Sequence, residues 1–171
     1  MRTALHLAAT EGRLTVVAFL VSASANVNVK DRWSSTPLED AIKNGFANVA
    51  HHLRQHGGHI DGEFATNLLC EAASNGNVDQ LEMLCENGVD ANVGDYDQRT
   101  PMHLAAAEGQ LLAVSFLLHV AHANHSPLDR WEATPLQDAI SADSDDCVVL
   151  LLMKGAVLGP SATIEDKRKV E

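Results

Sequence analysis

Aromatic residues are scarce in this chain, with two Trp, one Tyr and four Phe in 171 positions, although 46% of residues are hydrophobic. A core must therefore come from Ala, Leu and Val, and small side chains suit closely packed helices better than the aromatic and β-branched faces of sheets. Positive charge is also scarce: 12 Lys and Arg face 23 Asp and Glu, a net charge of −11. That balance repels phosphate backbones and anionic lipid, so neither nucleic acid nor a bare membrane is the expected partner. The three cysteines, Cys70, Cys85 and Cys147, are odd in number, far apart and without a CxxC pair. Reduced thiols of a cytosolic or nuclear protein account for them better than a disulfide framework does. No apolar run approaches the roughly 20 residues of a membrane span.

Nor does the start read as a cleavable leader. Glu11 and Arg13 stand just ahead of the apolar run Leu14–Val21, and the same pattern returns at Arg99–Val120, deep inside the chain. Catalytic signatures are missing as well. There is no phosphate-cradling glycine loop, no Ser-x-x-Lys tetrapeptide and no nucleophile beside a histidine. The expectation is a non-enzyme without cofactor or metal.

What the chain does contain is repetition. Arg2–Ala23 aligns with Arg99–Val120 at 12 of 22 positions, and Asp31–Ile42 with Asp129–Ile140 at 9 of 12. A shorter period runs through both copies: Thr3, Thr36, Asn67, Thr100 and Thr134 head the segments TALHLAA, TPLEDAI, NLLCEAA, TPMHLAA and TPLQDAI at spacings of 33, 31, 33 and 34. In Thr100–Gly109, Thr100 is placed to cap a short inner helix and Pro101 fits its first turn. Gly12, Gly45, Gly76 and Gly109 follow each inner helix at matching positions to end it. Second helices are predicted over Leu14–Ala23, Ala47–His56, Val78–Glu86, Leu111–His119 and Asp145–Met153, with apolar residues at spacings of three and four. No such hairpin buries its own apolar stripe, so neighbours must stack.

A period near 33 carrying T-P-L-H-x-A resembles the ankyrin repeat. The resemblance implies an all-α ankyrin-repeat solenoid of about five helix-turn-helix units with β-hairpin finger loops. One array over 1–160 is expected, with units near 1–30, 31–61, 62–94, 95–128 and 129–160, followed by a polar charged tail at 161–171. The chain opens on an inner helix without the finger that precedes the matching Arg99, so a fragment of a larger protein is expected. The run Asp95-Tyr96-Asp97-Gln98-Arg99-Thr100, then His103–Gly109, Asp129-Arg130-Trp131 and Thr134-Pro135-Leu136, resembles the ankyrin segment trailing the catalytic domain of kidney-type glutaminases. It is also similar to repeats of bacterial and fungal asparaginases and of plant voltage-gated potassium channels. These resemblances imply a non-catalytic protein-protein interaction or assembly module, standing alone, beside an amidohydrolase, or within a channel.

Candidate binding residues fall in two rows. One lies at the fingers: Arg32, Trp33, Tyr96, Gln98, Arg99, Arg130 and Trp131, Trp and Arg being common anchors of interfaces. The second lies on inner helices: Glu39, Asp40, Glu71, Gln137 and Asp138. Their acidity favours a protein or peptide partner rich in Lys and Arg, or a second copy of the chain. The bland alternatives are that Asp and Arg pair between fingers, that Trp covers the edge of the stack, and that acidity keeps the array soluble. His6 and His103 are expected to tie capping threonines to a neighbouring loop. His52 and His56 stand at a spacing a transition metal bridges, but together with His51 and His59 they are read as surface histidines of an outer helix. His119, His122 and His125, near another helix end, are read as capping the helix dipole.

Overall fold

The computed structural model describes residues 1–170 and divides into two compact units, Met1–Ala65 and a second from Thr66 onward. Among the described residues all regular structure is helical. The first unit holds α1 (Ala4–Thr10), α2 (Leu14–Ser22), α3 (Pro37–Lys43) and α4 (Ala47–Gln55). The division falls inside α5 (Gly62–Ser74), and the second unit continues with α6 (Val78–Glu86), α7 (Pro101–Ala107), α8 (Leu111–His119), α9 (Pro135–Ser141), α10 (Asp145–Met153) and α11 (Ile164–Lys169).

Each short helix begins where threonine stops the extended chain. Thr3, Thr36, Thr100 and Thr134 have β-region backbone, and the residue three on reaches back to the threonine N–H: His6, Glu39, His103 and Gln137. That reciprocal cap satisfies donors a helix start otherwise leaves orphaned. Each ends in a left-handed residue, as at Gly109 (φ 64°), where an added Cβ would also meet the Ser144 side chain. Helices α1 and α2, α3 and α4, α7 and α8, and α9 and α10 pack as hairpins. Within the first unit α1 packs on α3 and α2 on α4; within the second α7 packs on α9, and α6 and α10 on α8. The buried cores are Leu5, Ala9, Val17, Leu38, Ile42 and Leu53 in one unit, and Leu81, Leu84, Met102, Leu117, Leu136 and Leu151 in the other. Ala, Leu and Val dominate, and truncating one such Leu to Ala costs about 2–5 kcal/mol.

Two expectations need correction. Asn67 does not start a helix, because α5 begins five residues earlier. Without Thr at the cap and Pro after it, nothing stops the helix from extending through Glu63, Phe64, Ala65 and Thr66, and Asp61 caps it, accepting the Glu63 N–H at 3.2 Å. The fingers carry no β ladder among the described residues. Three of them are tight turns around Asp31, Asp95 and Asp129, described below. Beyond the last hairpin, Thr163 and Asp166 repeat the reciprocal cap at the start of α11.

Candidate partner-binding surface

The finger turns are built alike. In the first unit the Asp31 carboxylate accepts the N–H groups of Trp33 at 2.8 Å and Ser35 at 3.1 Å, while Asp31 N–H donates to the Ser35 carbonyl at 2.9 Å. In the second, Asp95 accepts from Asp97 and Arg99, both at 2.9 Å, and Asp129 from Trp131 and Ala133, both at 2.9 Å. The residue before each closing carbonyl, Ser34, Gln98 or Glu132, is left-handed. Burial raises the pKa of Asp31, but the two backbone donors, His6 and Arg2 more than offset it, holding the carboxylate below its ordinary value.

This turn throws its side chains outward. Arg32 lies 3.8 Å from the centre of the Trp33 ring. In the second unit Arg130 sits 5.4 Å from the Tyr96 ring and 5.5 Å from the Trp131 ring, while its guanidinium pairs with Asp97 at 2.5 Å and its N–H donates to the Asp97 carbonyl at 3.0 Å. Asp and Arg thus pair between neighbouring fingers. Trp33 and Trp131 do not cover the apolar edge: both are more than half exposed, held against arginines, and Tyr96 is 92% exposed.

The inner-helix row divides. Glu39 and Gln137 are 1% and 7% exposed and do not face a partner. Glu39 accepts the N–H of Thr36 at 2.8 Å with one oxygen and that of Asp61 at 2.8 Å with the other. Gln137 accepts from Thr134 and Gly159 and donates to Ser161. Both occupy the position of His6 and His103, a link missed at Glu39 and Gln137 because only the histidines carried the family motif. Asp40, itself buried, pairs with Arg2 at 3.2 Å, and the half-buried Asp138 pairs with Arg99 at 3.1 Å. Burial lifts the pKa of Asp138 against the pull of Arg99. Glu71, on α5, is exposed.

His6, Asp31 and Asp40 bring donor atoms within 4.8 Å of one another. Both nitrogens of His6 are engaged, Nδ1 by the Thr3 N–H at 3.2 Å and Nε2 at 2.9 Å from the Ser35 carbonyl, and Arg2 lies against both carboxylates. The cluster is an internal link, with Arg2 shared between its two carboxylates. On α4 the His52 and His56 rings lie 4.3 Å apart, and burial, then His56 and His51, lower the pKa of His52. His52 is not a plain surface residue: its Nε2 is sheltered without a hydrogen-bond partner. His119 bonds back to the Ser115 carbonyl at 2.9 Å in the last turn of α8.

Capped short helices, longer outer helices and Asp-closed fingers define a stacked-helix repeat protein, a class that works by presenting an extended binding surface. A family model for ankyrin repeats in three copies matches residues 1–64 and 69–161, and the chain belongs to the ankyrin-repeat family. Potassium channel SKOR of Arabidopsis thaliana is 40% identical over 172 residues, covering 99% of this chain and 21% of the channel. The mitochondrial liver glutaminase of Rattus norvegicus is 39% identical over 98 residues, 57% of this chain and 16% of that protein. L-asparaginase of Dirofilaria immitis is 40% identical over 91 residues, 53% of this chain and 15% of that protein. The chain spans about a fifth or less of the length of these relatives. Ankyrin repeats are a protein-interaction scaffold, generally non-catalytic, and no helix among the described residues is long and apolar enough to cross a membrane.

Proposed function

We propose that this chain is a non-catalytic docking segment of a larger protein and that its finger tips hold a Lys- and Arg-rich peptide. The observation that carries the reading is the exposed group of Tyr96, Arg130 and Trp131, with Arg130 fixed by Asp97. Rigid aromatic and guanidinium surface held out by a closed turn loses little entropy on binding. Arg32 and Trp33 offer the same chemistry in the first unit, and Gln98, Arg99 and Asp138 line the row beside Tyr96 and Trp131. The net charge of −11 supports electrostatic steering of a basic segment.

Four hairpins of a seven-residue and a nine-residue helix, with the α5–α6 pair between them, support five repeats with bounds near 1–30, 31–61, 62–94, 95–128 and 129–160, and the Thr163 cap supports reading the segment after 160 as the opening of another. As to the larger protein, the match with a potassium channel over 99% of the chain favours a cytosolic appendage of a channel over a glutaminase-like amidohydrolase, matched over 57%. Full-length sequence decides: six apolar spans support the first, an upstream Ser-x-x-Lys the second.

The binding claim is tested with the chain's own two tryptophans, Trp33 and Trp131. Titration with an oligolysine or oligoarginine peptide is expected to change their fluorescence, with affinity falling at least about tenfold between low and physiological salt. Tyr96→Ala with Asp97→Asn, which removes an aromatic face and a carboxylate, is expected to weaken binding by a further tenfold or more. An affinity indifferent to salt, or to the double substitution, overturns the reading.

A further inference from the structure

The nine-residue outer helices share a register, and one position in it stands apart. The sixth residue is Phe19 in α2, Met83 in α6, Phe116 in α8 and Leu150 in α10, but His52 in α4. A histidine thus replaces an apolar side chain. His52 is half-buried, and its Nε2 is sheltered without a hydrogen-bond partner, a state that polar atoms in folded chains rarely keep. Against it lies the ring of His56, one turn on, with ring centres 4.3 Å apart and planes inclined by 37°. Nδ1 of His56 is 2.8 Å from the His52 carbonyl. A carbonyl only accepts, so Nδ1 carries the His56 proton and Nε2 is the nitrogen left to ligate. Burial, then His56 and His51, lower the pKa of His52, which keeps its ring unprotonated at neutral pH. The neighbouring groups are engaged elsewhere: His51 Nε2 lies 2.9 Å from the Gln55 amide, and the Arg54 guanidinium donates to the Gly58 carbonyl at 3.2 Å.

We propose that His52 and His56 chelate one divalent transition metal ion, with Zn²⁺ as its test case, through their Nε2 atoms, and that water completes the coordination. Residues four apart on a helix share a face, and imidazole nitrogens suit zinc, copper and nickel. The bond from His56 Nδ1 to a backbone carbonyl is the support that metal-ligating histidines ordinarily have, since it fixes the tautomer and the ring. A dication there also meets the negative end of α4, whose last turn holds His52 and whose C-cap is His56. Hard cations are disfavoured, because the chain from Asn44 to Ile60 holds no carboxylate. This inference is independent of the finger-tip reading.

The test titrates the whole chain, free of any histidine tag, with zinc chloride, reading heat by calorimetry and the imidazole nitrogens by NMR. The Nε2 signals of His52 and His56 are expected to move together, with those of His6 and His103 unmoved, and magnesium chloride to move none. His52→Phe, which installs the side chain that α2 and α8 carry at this position, and His56→Gln are each expected to weaken binding at least about tenfold. Neither is expected to lower the metal-free urea midpoint of the first unit. His51→Gln is expected to keep the affinity within about twofold. Zinc at a hundred times its dissociation constant is expected to lower the unfolding constant of the first unit at least about tenfold in the parent chain and in neither variant. Affinity unchanged by His52→Phe and His56→Gln, an equal loss in His51→Gln, or a metal shift confined to other histidines overturns the proposal.

Discussion

His103 Nε2 lies 3.2 Å from the carbonyl oxygen of Ala133, thirty residues along, while its Nδ1 accepts the Thr100 N–H at 3.1 Å. With Nδ1 an acceptor, the ring proton sits on Nε2 and is donated to the carbonyl, so the ring is neutral and both ends are satisfied. His6 does the same between Thr3 and Ser35. One side chain thus closes a helix cap and fastens the next finger, which is why histidine, glutamate and glutamine all serve at this position.

Burial lowers the pKa of His103, with the Ala133 hydrogen bond opposing. A depressed histidine favours the unfolded chain when protonated, so its contribution is intact above pH 6.5 and is lost as pH falls below that value toward the folded pKa. Denaturation of the second unit at pH 7.5 and 5.5 is expected to show this loss. His103→Gln, which borrows the Gln137 arrangement, is expected to keep stability within about 1 kcal/mol and flatten the acid dependence. His103→Ala leaves the buried Thr100 N–H and the half-buried Ala133 carbonyl unpaired and is expected to cost about 2–3 kcal/mol.

Asp129 is nearly buried and accepts two N–H groups from its own turn. Asp129→Ala is expected to destabilise the second unit by about 2–3 kcal/mol and to speed amide exchange at Trp131 and Ala133. Asp129→Asn, which keeps the Oδ1 that accepts both N–H groups, is expected to cost well under half as much. Equal losses for the two substitutions would show that the carboxylate does not close the finger.

The helices were legible where local chemistry is complete. Thr-Pro starts and Gly stops bracket α3 and α7, and three of the outer helices, α6, α8 and α10, match their predicted bounds. The reading failed at Asn67, where the punctuation is absent and helix propensity ran on unopposed. It failed at Glu39 and Gln137 because an acid or amide inside a polar-looking motif gives no sign that its partners lie 22 to 24 residues away. The exposure of Trp33 and Trp131 was equally hidden, since a cation-stacked ring and a core ring look alike in sequence.

Glu132 holds a left-handed backbone with φ 61°. For a residue with a side chain this conformation costs about 1–2 kcal/mol, part of which glycine returns as unfolded-chain entropy. Glu132→Gly is therefore expected to stabilise the second unit by up to about 1 kcal/mol, and Glu132→Val to destabilise it by more than that. Thermal or urea denaturation reads both, and a destabilising glycine would mean that the Glu132 side chain, not the backbone, matters there.

Arg99 and Asp138 are largely shielded, with side chains 25% and 20% exposed, whereas Arg130 and Asp97 stand at 44% and 37%. Burial already raises the pKa of Asp138, and Arg99 restrains the rise. Removing Arg99 lifts that pKa further. A carboxylate with a raised folded pKa contributes stability below its unfolded value near 3.8 and loses it as pH climbs through the folded one. Arg99→Ala is thus expected to be more damaging at pH 7 than at pH 4, and Asp138→Asn in the same background to recover much of the loss at pH 7. Arg130→Ala, in a pair open to solvent, is expected to leave stability unchanged at either pH. Urea denaturation of the three variants at both pH values checks this, and an Arg99→Ala cost that is flat with pH would show that Asp138 does not depend on the guanidinium.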